Sequence, residues 1–109
     1  MATYNYIPVT IPNGQTDSLP TDLWGQTLVG IRFPAAMTGT DVTVLESDAV
    51  GGTYNPVNLS SVATTYPVIV STTAAIPAVN TACVRFARIR SGSSEGAARV
   101  ITLITRIVE

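Results

Sequence analysis

Apolar and β-branched residues occur along this chain in short runs, broken by threonine, proline, glycine or asparagine. The 109 residues include 16 Thr, 13 Val and 9 Ile, whose branched Cβ favours extended backbone and disfavours helix. No apolar run approaches the roughly 18 residues of a membrane-spanning helix. The pattern therefore predicts an all-β protein made of short strands and turns, without a membrane partner.

Turn signals divide the chain into about seven or eight strands at a spacing of about 8–12 residues, which is typical of sandwiches and jelly rolls. Within 28–33, the alternation predicts that Val29, Ile31 and Phe33 share one face. Segments 84–91 and 99–108 are predicted to form a hairpin around a polar turn. We therefore expect an antiparallel, jelly-roll-like β-sandwich.

Residues 1–11 are predicted to be an extended N-terminal arm attached to a sandwich domain formed by residues 12–109. Residues 2–11 carry no charged side chain, and Pro8 and Pro12 are expected to weaken a continuous ladder within the domain.

The apolar side chains of this arm predict contact with another subunit, because an exposed apolar strand edge invites pairing with a neighbouring chain. The candidate interface residues are Tyr4, Tyr6, Ile7 and Val9. In the alternative interpretation, Val9 and Ile11 begin the first strand of the sandwich, and only residues 4–7 reach out.

Charge is unevenly distributed along the chain. Residues 49–84 form a stretch of 36 without a charge, the residues before it have a net charge of −4, and those after it have +3. All six cations are arginine, a residue that is enriched at interfaces where lysine is depleted. These features predict self-association, most simply a homotrimer. The alternative is that Thr, Ser and Asn keep the uncharged stretch solvated in a solitary domain.

Three arginines are candidates for interface contacts or inter-chain ion pairs. Arg88 and Arg90 share one face of their strand, and the predicted hairpin places Arg90 roughly opposite Arg99. Because like charges across a ladder are destabilising, a carboxylate should lie between them. It would come from Glu95, Glu109 or an N-terminal aspartate of this or a neighbouring chain.

The composition argues against an enzyme, a metal site or a cofactor. The chain has no histidine, the commonest general base and metal ligand. Residues 92–96 match the G-x-S-x-G string of serine hydrolases but lack a base to activate the serine. Asp41, Glu46 and Asp48 lack the spacing of a calcium loop. The lone Cys83 is predicted to be a small buried apolar residue.

The net charge and the aromatic residues indicate whether the chain binds nucleic acid or glycans. A net charge of −1 and a pI of about 5.2 argue against binding to nucleic acid, and the first residues lack the features of a secretory signal. Tyr54, with Asn55 and Asn58 nearby, is the candidate for contact with a glycan. The alternative is that Tyr54 packs at the end of a hairpin with its hydroxyl in solvent.

Turn and strand segments along nearly the whole chain together resemble a known family. They are TI (10–11), GQT (14–16), LVGI (28–31), PAAMTG (34–39), SD (47–48), GGTY (51–54), PV (56–57) and RIRSG (88–92), with Ser18 and Arg99. In these the chain is similar to capsid auxiliary proteins of tailed bacteriophages, also called cement or decoration proteins, which have a jelly-roll-like β-sandwich.

The resemblance implies a structural virion protein without catalytic residues. Such a protein is made in the bacterial cytoplasm, binds the outer surface of the assembled head, commonly as a trimer, and bridges neighbouring major capsid proteins. Similar sandwiches occur on tails and fibres, so the alternative function is a lectin-like sandwich that binds host glycans from a virion surface, tail or fibre.

Overall fold

The computed structural model describes residues 2–59 and 62–108, which form eleven strands and one short helix. The elements are β1 (Ala2–Ile11), β2 (Thr21–Asp22), β3 (Thr27–Arg32), β4 (Asp41–Ser47), β5 (Asn55–Pro56), β6 (Asn58–Leu59), β7 (Val62–Ala63), β8 (Thr65–Pro67), β9 (Thr73–Ala75), α1 (Ala78–Thr81), β10 (Phe86–Ser91) and β11 (Arg99–Val108). The strand count exceeds the prediction because four of the strands have only two residues. No helix in this part of the chain could span a bilayer.

The strands form two main antiparallel sheets, and the predicted all-β sandwich is thereby confirmed. One sheet has the order β1-β11-β3-β9, and the other has the order β2-β10-β4-β5, with β8 also paired to β4. Strands β6 and β7 form a separate small hairpin. Inward side chains of both sheets form a single core cluster, which includes Ile11, Leu28, Ile101, Val42 and Ile89.

The predicted hairpin between the last two strands is wrong. Strand β10 pairs with β2 and β4, whereas β11 pairs with β1 and β3, so residues 92–98 cross from one sheet to the other. Each strand has alternating apolar residues that need a buried face, and that need is met equally well in either sheet. The local pattern therefore identified two strands but not their partners.

The alternation predicted for 28–33 is broken by a bulge. The register between β11 and β3 shifts between Ile104 and Thr105, and as a result Leu28 and Ile31 are both fully buried while Val29 is only half-buried. Gly30 lies directly beneath Ile104, whose Cδ1 would be 3.3 Å from a Cβ at that position.

The segment predicted to be an arm forms β1, the edge strand of the four-stranded sheet. It pairs with β11 without interruption from Ala2 opposite Val108 to Ile11 opposite Arg99. Pro8 does not break this ladder, because the nitrogen of a residue on an edge strand can face away from its only neighbour. Residues 2–11 are therefore part of the sheet, and the contact predicted for them with another chain stays a prediction.

Two adjacent residues on β11 provide a test of which face of this sheet is the core. Replacing the fully buried Ile101 by threonine should lower the free energy of unfolding by about 2–4 kcal/mol, because it removes packing and buries a hydroxyl. The same replacement at the exposed neighbour Val100 should change it by less than about 1 kcal/mol. Urea denaturation of both variants measures the difference, and equal losses would contradict this assignment of faces.

Candidate functional site

The candidate interface residues of β1 divide between its two faces. Tyr4 and Tyr6 are 52% and 57% exposed, whereas Val9 is buried in the core of its own domain and Ile7 packs against that core. Of these four candidate residues, only the two tyrosines are more than half exposed to solvent. Within the described chain, no strand pairs with the outer side of β1.

Arginines accompany both tyrosines on the outer face of this sheet. The guanidinium carbon of Arg32, from β3, lies 5.3 Å from the centre of the Tyr6 ring, and Arg106 stands opposite Tyr4 in the ladder. A cation over an exposed ring contributes about 0.5–1 kcal/mol. The outer face beside β1 therefore combines aromatic rings with positive charge.

The uncharged stretch, residues 49–84, exposes apolar side chains in several places. Val50, Ile69, Val70 and Val79 are all more than two-fifths exposed. This stretch also supplies β9, the opposite edge of the four-stranded sheet. Apolar residues exposed in separate places are ordinary on protein surfaces, so the contact predicted for this stretch with another chain stays a prediction.

Arg90 is paired with an N-terminal aspartate of its own chain. Its Nε and Nη2 atoms donate hydrogen bonds to the two carboxylate oxygens of Asp17, at 2.8 and 3.2 Å. The hydrogen bond from Arg90 is the main cause that lowers the pKa of Asp17. Because β10 and β11 lie in different sheets, Arg90 does not oppose Arg99, and the ladder repulsion that we expected is absent from this structure.

Glu95 is the only charged residue among the buried residues of the described structure, with only 1% of its surface exposed. Its carboxylate accepts hydrogen bonds from the backbone N–H groups of Thr38 (2.8 Å) and Gly39 (2.9 Å), the hydroxyl of Ser91 (2.7 Å) and the Nε of Arg99 (3.0 Å). Burial acts to raise the pKa of Glu95, but these hydrogen bonds outweigh it and lower the pKa to about 2. The acid stays ionised in the folded protein.

The backbone around Glu95 is fixed as well. The Glu95 carbonyl accepts a hydrogen bond from Gly14, and the Glu95 N–H donates one to Gln15. The segment 92–96 was predicted to be a polar turn and a poor match to a hydrolase site. Through Glu95 it is hydrogen-bonded to residues 14–15 and 38–39, which are distant in the sequence. Ser94 is exposed.

Arg88 is engaged within the chain. Its Nη1 donates to the carbonyl of Ser18 at 3.2 Å, its guanidinium lies 4.8 Å from the centre of the Tyr54 ring, and its Nε is buried without a hydrogen-bond partner. Arg88, Arg90 and Arg99 therefore all contact groups of their own chain, and a role for them between chains stays a prediction.

The structure does not bring the three glycan candidates together in one site. One face of the Tyr54 ring is covered by Arg88, and its hydroxyl donates to the Val50 carbonyl at 2.8 Å rather than pointing only to solvent. Asn55 instead lines a shallow polar cleft of about 410 Å³ with Glu46, Ser47, Asp48 and Thr53. Asn58 belongs to the separate hairpin of β6 and β7.

The acids singled out in the sequence lie along or just after β4, and the cysteine lies elsewhere in the fold. Asp41 is at the start of β4, and Glu46 is near its end, so the three acids considered for calcium do not converge. Among residues 2–59 and 62–108, no group of three or more acidic or cysteine side chains could hold an ion. Cys83 is exposed, which corrects the prediction that it is buried: it lies in the turn after α1, and the neighbouring Val84 takes the core position.

Trp24, which the sequence patterns did not single out, is the most exposed aromatic side chain in the described structure, at 70%. Its only sequence signal is its place beside Gly25 in a short segment between two strands. Of the residues around it, Asp22 is a near neighbour in the sequence, whereas Arg85 comes from a distant part of the chain.

Comparisons with known proteins find no match: no family model, no curated protein and no solved structure is similar to this chain. Function is therefore inferred from the surfaces described above.

The hydrogen-bonded carboxylate of Glu95 predicts a specific dependence of the free energy of unfolding on pH. Because the folded-state pKa of about 2 lies below the ordinary value of 4.5, the charged carboxylate stabilises the fold fully above pH 4.5 and loses that effect as the pH falls toward 2. A shift of this size corresponds to about 3 kcal/mol. We expect Glu95→Gln to lower stability at neutral pH and to reduce the loss on acidification.

The measurement is the free energy of unfolding of the wild type and Glu95→Gln between pH 7 and pH 2. Asp48→Asn is the matched control, because Asp48 is an exposed acid outside this network. Its acid profile should follow that of the wild type. If the free energy of unfolding of Glu95→Gln and Asp48→Asn depended on pH in the same way, Glu95 would not be the group whose protonation destabilises the fold.

Proposed function

We propose that this chain is a structural protein that binds the outside of an assembled bacteriophage head and stabilises contacts between major capsid proteins. The sequence resemblance to cement proteins supports this proposal, as does the β-sandwich fold that those proteins have. The structural observation that carries it is the outer edge of β1, which is long, uncharged and flanked by exposed tyrosines.

The β1 edge lacks most of the protection that solitary domains give to an edge strand. Natural edges are blunted by charged side chains, proline, bulges or short length. β1 extends over ten residues without a charge and is paired in regular register on its inner side. Pro8 lacks an N–H, and the Thr10 carbonyl accepts a hydrogen bond from the Leu19 N–H at 3.0 Å, so the open part of the edge is residues 2–7. Such an edge suits addition of a strand or close packing by a neighbouring protein.

Binding to the lattice would stabilise the head by mass action. A protein that binds the assembled form and not separate capsomers shifts the equilibrium toward assembly. Burying the exposed halves of Tyr4 and Tyr6 would contribute about 1 kcal/mol each. Their rigid strand backbone lowers the entropy lost on binding, because it is already ordered by β11.

We also propose that the chain forms a homotrimer. The two edges of the four-stranded sheet, β1 and β9, are different from each other, and neither carries a charged side chain. The β9 edge lies on the opposite side of the sheet from β1, so a heterologous contact of β9 with the next copy could close a ring and leave the β1 edge for the head. A monomeric mass in light scattering would count against a trimer that exists before binding.

The alternative function, a lectin-like sandwich that binds host glycans, has little support at Tyr54, Asn55 and Asn58. Their separation, and the Arg88 side chain over the Tyr54 ring, leave no shared surface for a sugar. A glycan-binding activity would need another site on the molecule.

Heating purified phage heads with and without this protein tests the proposal. Heads that carry it should release DNA at a higher temperature and resist low salt better than heads that lack it. Equal resistance of the two preparations would refute the cement function. A head that never binds the purified chain would refute it as well.

A pair of charge substitutions tests the role of β1. Tyr4→Glu should weaken head binding at least tenfold, because the charge would have to lose its water at the interface. Val50→Glu introduces the same charge at a site of nearly equal exposure, 55% against 52%, beyond β4 in the other sheet. We expect it to bind like the wild type if β1 is the contact.

Thermal denaturation of both variants should show that each remains folded, and sedimentation with heads measures the affinities. Equal weakening by the two substitutions would contradict a specific role for β1. Point substitutions are preferred to deletion of residues 2–8, because deletion would unpair most of the β1–β11 ladder and expose the core.

A further inference from the structure

Trp24 is held at the tip of a tight turn. The N–H of Gln26 donates to the carbonyl of Leu23 at 2.8 Å, and Gly25 has a φ of 69°, in the left-handed region that glycine adopts most easily. Leu23 is buried at the base of the turn. The indole is therefore presented to solvent from a backbone that is anchored in the core.

The ring of Trp24 is fixed from one side by Arg85. The guanidinium carbon of Arg85 lies 4.1 Å from the centre of the Trp24 ring and 4.7 Å from that of Phe86. Asp22 accepts hydrogen bonds from Arg85 Nε at 2.9 Å and Nη2 at 3.4 Å, and from the backbone N–H of Trp24 at 2.9 Å. This network orders the side chain before any ligand arrives.

What remains exposed is an aromatic surface with polar groups at its side. Trp24 is 70% exposed although one face carries Arg85. The side chains of Arg85 and Asp22 are 41% and 48% exposed, so both can still form hydrogen bonds outward. The pair has no net charge, which suits a neutral ligand.

We propose that Trp24, Asp22 and Arg85 form a binding site for a neutral saccharide. The C–H groups of a pyranose ring carry slight positive charge and would stack on the open face of the indole, whose π surface is negative. Hydroxyls at the ring edge would donate to the Asp22 carboxylate and accept from the Arg85 guanidinium. This site is distinct from the β1 edge and goes beyond the proposed head binding.

A sugar fits these groups better than a protein surface does. Covering the ion pair with an apolar protein patch would remove water from both charges without replacing its hydrogen bonds. A saccharide replaces those waters with hydroxyls while it covers the ring. Nucleic acid bases could also stack, but a carboxylate beside the ring and a net charge of −1 oppose a phosphate backbone.

Because Trp24 is the only tryptophan of the chain, its fluorescence reports this site alone. The purified full chain is titrated with cellohexaose, maltohexaose, chitohexaose and mannohexaose at up to millimolar concentration. We expect a saturable change in intensity or emission maximum with at least one of them. No change with any of the four, together with no heat of binding in calorimetry, would overturn the proposal.

Variants then locate the binding. By calorimetry, Trp24→Ala should abolish binding of the active sugar, and Asp22→Asn and Arg85→Gln should weaken it at least tenfold, with folding checked by circular dichroism. Tyr54→Ala, which alters the other aromatic candidate, should bind like the wild type. Loss of binding in Tyr54→Ala but not in Trp24→Ala would overturn the assignment. The assignment would also be overturned if the tryptophan fluorescence changed when the chain binds heads but did not change with any of the four sugars.

Discussion

The buried carboxylate of Glu95 holds the place where the chain leaves one sheet and enters the other. Its acceptors are filled by groups that follow β3, end β10 and begin β11, so one side chain fixes three segments that are far apart in sequence. A buried charge of this kind is tolerated only when its hydrogen bonds are complete. The glycines around it are part of the same constraint: a Cβ at Gly39 would meet the Ser91 hydroxyl, and one at Gly92 would meet the Asp41 carboxylate.

With that crossing fixed, the two sheets can differ in character. The five-stranded sheet carries ion pairs on its outer side, where Arg90 meets Asp17 and Arg85 meets Asp22. The four-stranded sheet ends in two uncharged edges. The proposed assembly contact uses this four-stranded sheet. The division follows the sequence only loosely, because both sheets draw strands from both halves of the chain.

Strand content and the sandwich could be predicted from the sequence, because both depend on local alternation, whereas the carboxylate beside Arg90 was predicted from a repulsion by Arg99 that the structure lacks. The partner of β10 could not be predicted, since its buried alanine and isoleucine would pack equally well beside β11. The burial of Glu95 depends on backbone N–H groups 56 and 57 residues away. The Trp24 site was missed for the same reason, because the Arg85 side chain that contacts it comes from the residue just before β10, late in the chain.

The uninterrupted ladder between β1 and β11 has a mechanical consequence. Hydrogen bonds in an antiparallel pair run perpendicular to the strands, so a force directed along β1 loads all ten residue pairs together in shear. A force that peels the strand from one end would instead load them one at a time and separate them easily. A neighbour attached along the length of β1 would transmit tension in the first way, and the sheet would then resist stretching with its whole ladder.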